Sequence, residues 1–261
     1  MTEVVTYESK GRIGYITLNR PEARNAVNGD VARGVEAAID AIEADDEVWV
    51  AILQANTEGQ ANPVFCAGAD LKAVNAGQAG DLSTKRGGFG GIAQRERRKP
   101  IVIAIDGLAT AGGCEITLAC DIVVATTRSA FGLAEVKRNL IAGAGGLYRL
   151  PRAIGRSTAM YAILTGEPIT AQRAYDLGLV TSLVEPGQAE AEATRIAEQI
   201  AAAAPLAVYA SREVVLQADW DTDANLQSLT NKLFSAVIAS EDTKEGLTAF
   251  IEKRAPQWKG R

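Results

Sequence analysis

Residues 100–135, PIVIAIDGLATAGGCEITLACDIVVATTRSAFGLAE, leave little freedom in local structure. Ile101 to Ile105 is an apolar, β-branched run of strand length. Gly112 and Gly113 then open a short helical segment, Cys114 to Ala119. Asp121 ends that helix ahead of a second buried strand, Ile122 to Ala125, and a second turn follows. Glu115 falls in the first helical turn, beside N–H groups that no residue inside the helix can satisfy. With no Cβ on Gly112 to block approach, such a helix start can hold a developing oxyanion. A first-turn Glu equally serves to complement the helix dipole.

The rest of the N-terminal part repeats the theme. Val4 to Ser9 and Ile13 to Leu18 read as strands around a Lys10-Gly11 turn, and Asn19-Arg20-Pro21 stops the second. Asn28 is an N-cap for a helix whose apolar face is Val31, Val35, Ala38, Ile39 and Ile42. Val48 to Leu53 is the next buried strand. This β–α–β order predicts an α/β fold with helices packed on mainly parallel strands. Gly143-Ala144-Gly145-Gly146 opens a second glycine-led helix, Leu147 to Ile154. A helix capped by Thr170 and ended by Gly178 follows, then a last strand, Leu179 to Val184. Beyond Gln188 the pattern is almost wholly helical, in segments near 189–204, 205–219, 222–240 and 243–253.

Composition narrows the chemistry. The chain of 261 residues contains no His, which excludes Ser–His and Cys–His triads, His-ligated zinc and an imidazole base. Acid–base work falls to carboxylates, Lys, Tyr, Cys or bound water. A net charge of -5 argues against a duplex-binding surface, which needs a concentrated basic patch. The one basic cluster, Arg95-Glu96-Arg97-Arg98-Lys99, reads as a solvated helix end. Residues 1–20 alternate polar and apolar rather than forming a secretion signal. No apolar run reaches the roughly 18 residues of a membrane span. Three cysteines, Cys66, Cys114 and Cys120, read as reduced thiols of a cytoplasmic protein. Residues 73–91, rich in Gly, Ala and polar side chains, suggest a mobile segment or lid.

Three signals coincide in order and spacing: Phe65-Cys66-Ala67-Gly68-Ala69-Asp70-Leu71-Lys72, then Asp106-Gly107 with Gly112-Gly113-Cys114-Glu115, then Phe131-Gly132-Leu133-Ala134-Glu135. Together they resemble the crotonase superfamily, the enoyl-CoA hydratases and isomerases, over nearly the whole chain. The resemblance implies a spiral of β-β-α repeats over residues 1–190. It implies a helical C-terminal region, 191–261, that builds homotrimers or hexamers. It further implies a hydratase of trans-2-enoyl-CoA in fatty acid breakdown, with coenzyme A as part of the substrate and no metal or separate cofactor. By position, the backbone N–H groups of Ala69 and Gly112 match the oxyanion hole. Glu115 and Glu135 match the two carboxylates that hold a water. Ala67, Gly68, Asp70, Leu71 and Lys72 match the wall along the CoA, with Arg24 and, across a subunit interface, Lys253 as phosphate or CoA contacts.

The chain departs from the family pattern at Ala111, Ala134 and Ala142, where Gly, Pro and Pro are common. Those departures leave a Δ3-Δ2 isomerase or a carnitinyl-CoA-type dehydratase as alternatives. An acyl-CoA or RNA-binding homologue without turnover is the non-enzymatic one.

Overall fold

The computed structural model describes residues 3–261. Its elements run β1 (Val5–Lys10), β2 (Ile13–Leu18), α1 (Gly29–Ala44), β3 (Val50–Ala55), β4 (Val64–Cys66), α2 (Leu71–Asn75), β5 (Ser83–Thr84), β6 (Gly88–Phe89), β7 (Ile101–Ile105), β8 (Leu108–Thr110) and α3 (Gly112–Leu118). Then come β9 (Ile122–Thr126), β10 (Ala130–Gly132), α4 (Gly146–Ile154), α5 (Arg156–Thr165), β11 (Ile169–Thr170), α6 (Ala171–Asp176), β12 (Ser182–Val184) and the helices α7 (Ala189–Ala201), α8 (Pro205–Gln217), α9 (Asp223–Ile238) and α10 (Glu241–Glu252).

Two sheets are built by one repeating device. The larger has strand order β1-β2-β3-β7-β9-β12, parallel except for the β1–β2 hairpin. The smaller is β11-β10-β8-β4, parallel except for β10–β11. In the pairs β3/β4, β7/β8 and β9/β10 the first strand enters the large sheet and the second the small one. Each pair leads into a helix or, after β10, a 3-10 turn at 135–138. This is the β-β-α spiral expected of the sequence. The second strand of each turn is only three residues long, too short for a periodicity to show, so the sequence reading missed β8 and β10. It also missed α5, whose apolar residues do not segregate to one face.

Strand alternation divides the interior in two. Ile16, Leu18, Leu53, Ile101, Ile103, Ile105, Val123 and Ala125 face the core shared with α1 and the small sheet. Their neighbours Ile13, Tyr15, Val50, Ile52, Val102, Ala104 and Val124 face α7 instead. Ala189, Ala193 and Ala197, spaced by four, form a stripe small enough for α7 to lie close on that face. Asn28 caps α1 by accepting from Val31 N–H at 3.0 Å, and the five predicted face residues of α1 are all buried.

The basic cluster is spent on the fold rather than left as a free solvated helix end, although Arg98 stays exposed. Arg95 pairs with Asp40, Arg97 with Asp121 at 3.0 Å and Arg98 with Glu43 at 3.5 Å. Lys99 is buried and donates to Ile42 O and Asp45 O, both at 2.6 Å, closing the C-terminal end of α1. The cluster is turned inward because α1 ends, with its acidic residues and free carbonyls, directly opposite it. Residues 73–91 likewise have structure. The β5–β6 hairpin docks on α1 through Glu36, which accepts from Thr84 Oγ1 at 2.5 Å and from Gly87 N–H at 2.8 Å.

Candidate active site

The site forms where the start of α3 meets the loop between β4 and α2. Gly68 and Gly113 allow that approach. A Cβ on Gly68 would come within 2.8 Å of Gly112 N, and one on Gly113 would strike the carbonyl of Cys66. Ala69 is held from both sides: Val27 N–H donates to Gly68 O at 2.7 Å, and Asp70 N–H to Val27 O at 2.8 Å. Among the described residues, neither Ala69 N–H nor Gly112 N–H donates a hydrogen bond. Two backbone donors thus stand free beside one another at the mouth of a helix, the arrangement that suits a developing oxyanion. Ala111, the residue before α3, adopts φ 50 and ψ -126, a conformation that only Gly takes without strain.

Glu115 points back across this helix start and is 4% exposed. Its Oε1 accepts from Ala144 N–H at 2.6 Å and Gly146 N–H at 2.9 Å, the amides that open α4. Burial pushes its carboxyl above the ordinary value; the two amides and the Arg149 guanidinium pull the other way, and Glu135 adds to the rise. Glu135 begins the 3-10 turn after β10, and its Oε2 is buried with no hydrogen-bond partner among the described residues. Burial raises this carboxyl too, with Arg138 the cation that opposes it. The nearby Lys137 pairs with Glu167 at 2.7 Å rather than with Glu135. The two carboxyls differ in surroundings: Glu115 is buried and anchored by two amides, while Glu135 is half-buried with one oxygen lacking a partner among the described residues.

The expected CoA wall is partly assembled. Ala67 N–H donates to Arg24 O at 3.1 Å, so the Arg24 turn and the Ala67–Gly68 loop are neighbours. Arg24, Leu71 and Lys72 are exposed beside the half-buried Ala67. Asp70 is occupied otherwise: it pairs with Arg20 at 3.1 Å and caps α2 by accepting from Lys72 and Ala73 N–H. Lys253 ends α10, and no hydrogen bond or ion pair among the described residues joins it to Arg24 or Ala67. Asp106, one of the sequence signals, is structural: it binds Arg128, Thr126 and Gly187 N–H.

Sequence reasoning missed the groups that hold Glu115. The glycine-led opening of α4 was legible, but nothing in it marks Ala144 and Gly146 as donors to a side chain 29 and 31 positions away. It also missed Phe89, whose ring a Cβ on Gly112 would strike. A cavity of about 1590 Å³ lies elsewhere, between α8–α9 and the core, and neither Glu115 nor Glu135 lines it. The buried thiols take no part: desolvation raises Cys66 and Cys120 to about 12, and Cys114 higher still.

Comparison with known proteins shows the family and the fold. A family model described as enoyl-CoA hydratase/isomerase matches residues 8–261. The chain is 38% identical to (E)-benzylidenesuccinyl-CoA hydratase of Thauera aromatica, covering 98% of this chain and 99% of that one. It is 36% identical to short-chain-enoyl-CoA hydratase of Clostridium acetobutylicum, covering 96% and 95%. A crystal structure of enoyl-CoA hydratase from Mycobacterium tuberculosis H37Rv superimposes with a TM-score of 0.93 at 42% identity, over all of both chains.

Proposed function

The chain belongs to the enoyl-CoA hydratase/isomerase family, and from that premise we propose that it adds water across the double bond of a trans-2-enoyl-CoA to give a 3-hydroxyacyl-CoA. The observation that supports the reading is the pair of carboxyls, buried Glu115 and half-buried Glu135, beside two backbone N–H groups that donate no hydrogen bond among the described residues. In this mechanism the thioester oxygen lies between Ala69 N–H and Gly112 N–H. Glu115, whose ionised form the two amides favour against burial, takes a proton from water as the water oxygen bonds to the β-carbon. The electrons of the double bond move onto the thioester oxygen as an enolate, which the two N–H groups stabilise. As the enolate collapses, the α-carbon takes a proton from Glu135, the group whose unpaired burial favours its neutral form. A proton returning from Glu115 to Glu135 through solvent resets the site.

Coenzyme A would lie along Ala67, Gly68 and Leu71, with exposed Arg24 and Lys72 toward its phosphates. Asp70 serves this wall by shaping it rather than by contact. Lys253 would reach CoA only from a neighbouring copy, in a homotrimer or a hexamer of paired trimers. Exposed apolar side chains on α8–α10, Phe250 at 84% and Ile251 at 78% above all, support such an assembly. Three unpaired thiols support a cytoplasmic location. The RNA-binding alternative loses its basis, since the Arg95–Lys99 cluster is spent on Asp40, Glu43, Asp121 and the end of α1.

Turnover of crotonyl-CoA in ¹⁸O-labelled water tests the reaction type. Hydration predicts one ¹⁸O atom on the β-carbon of the product. Conversion of a 3-enoyl-CoA to the 2-enoyl isomer without label would assign the isomerase instead.

A further inference from the structure

Glu115 does not hold its own position. Its two donors, Ala144 N–H and Gly146 N–H, belong to a loop that opens α4, and that loop is fixed from behind by Arg149. Arg149 Nη1 donates to Ala144 O at 3.2 Å, and Nη2 donates to Ala93 O at 2.7 Å. Gln94 Nε2 reaches the same Ala144 carbonyl at 3.4 Å. The guanidinium is spent on backbone carbonyls and the Tyr148 ring, 5.4 Å away, and pairs with no carboxylate among the described residues. The fork matters because its two nitrogens span two chain segments at once. Gly145 keeps the space open: a Cβ there would strike Arg149 Nη1, and its φ of +117 disfavours any other residue.

We propose that Arg149 is a positioning residue for Glu115, clamping the Ala144–Gly146 amides against the Ala93 end of the glycine-rich segment so that Oε1 is held at the site of chemistry. The inference rests on the hydratase reading for its kinetic consequences but not for its geometry. The same segment reaches the oxyanion side as well, since Phe89 lies against Gly112. One short stretch, 89–94, therefore backs both halves of the site: Phe89 the oxyanion donor, and Ala93 and Gln94 the base through Arg149.

The charged groups facing Glu115 are Glu135, from the turn after β10, and Arg149, from α4; the Cys114 thiol is its neighbour on α3. Glu135 raises the Glu115 carboxyl and Arg149 lowers it, so removing the guanidinium moves Glu115 further up.

The test uses Arg149→Lys, whose single ammonium cannot bridge both carbonyls, with Arg149→Ala and Gly145→Ala alongside. Two readouts are taken: kcat and KM with crotonyl-CoA across pH, and infrared titration of the Glu115 carboxyl, isolated by subtracting the Glu115→Gln spectrum. A displacement on the order of 1 Å should lower kcat about 10²-fold. KM should stay within a few-fold, the acid limb of the rate profile and the Glu115 titration should move to higher pH, and added guanidinium should restore part of the Arg149→Ala rate. An unmoved Glu115 titration in a folded Arg149→Lys protein, or kcat and KM failing together in step with lost thermal stability, would overturn the proposal. If the wild type hydrates no trans-2-enoyl-CoA, crotonyl-CoA included, the hydratase reading fails, while the infrared titration still decides the role of Arg149.

Discussion

A carboxyl oxygen buried without a partner is costly to the fold, and Oε2 of half-buried Glu135 is one among the described residues. Its folded-state carboxyl titrates above the ordinary 4.5. The neutral form is therefore favoured, and stability present below about that pH is lost as pH rises through the raised value. Glu135→Gln should then raise the melting temperature at pH 7.5 while leaving it nearly unchanged at pH 4. After allowance for partial solvent screening, the gain should be about 1 kcal/mol, or roughly 2–4 °C. Scanning calorimetry at the two pH values checks this; equal shifts at both would mean the cost is not electrostatic. Strain gathers at the same place. Of the five non-glycine residues with positive φ, Arg24, Ala111 and Lys253 are at candidate site positions or directly beside one, and the other two are the more tolerant Asn25 and Asn139. The departure Ala111, read from the sequence only as a deviation from a glycine run, is thus a strained alanine at the start of the helix that carries Glu115.

Elements were legible where their patterns are long, and obscure where two or three residues carry them. Strand β7 and strand β2 fall on their expected residues, and the cap at Asn28 is where an oxygen was needed. Strands β8 and β10 escaped because a three-residue strand has no period; only its place in the spiral defines it. The basic run 95–99 misled because charge says nothing about direction. Asp40, Glu43 and the carbonyl end of α1 face it across the fold, and a linear reading cannot place them there. The glycine-rich 73–91 misled likewise, since its docking depends on Glu36 of α1. Glycine at the start of α3 was read as access for a ligand, and the structure adds a second reason, contact with Cys66. Gly113→Ala should drive α3 away from the β4 loop, separating Ala69 from Gly112. Overpacking of this kind costs about 1–3 kcal/mol, and kcat should fall about 10²–10³-fold, as for a lost oxyanion donor. Chemical denaturation with kinetics on the folded fraction checks both; a folded protein with unchanged kcat would show that this contact does not set the hole.

At the scale of the molecule, the spiral puts the site at a junction that no single element owns: Ala69 comes from the β4–α2 loop, Gly112 and Glu115 from α3, and Glu135 from the turn after β10. While α7 packs on the large sheet through its alanine stripe, polar anchors also tie the C-terminal helices to this body. Arg212 of α8 binds Asp121 at 2.9 Å and Arg97 O at 2.6 Å, and Trp258 of the tail donates to Ala202 O at 2.9 Å. Their outer apolar residues, Phe234, Ile238, Leu247, Phe250 and Ile251, remain exposed in the single chain. An assembly that covers them is expected, and sedimentation equilibrium should give three or six times the 27.5 kDa chain mass; a monomer at micromolar concentration would contradict it and remove Lys253 from the CoA site. The account as a whole stands on the pair of glutamates. The most direct measurement is loss of enoyl-thioester absorbance with a panel of trans-2-enoyl-CoAs of increasing chain length, for the wild type and for Glu135→Gln. Hydration by this pair predicts turnover by the wild type on at least one thioester and a loss of about 10²–10⁴-fold in kcat for the variant, with KM little changed. Turnover that survives the substitution, or none by the wild type across the panel, would contradict it.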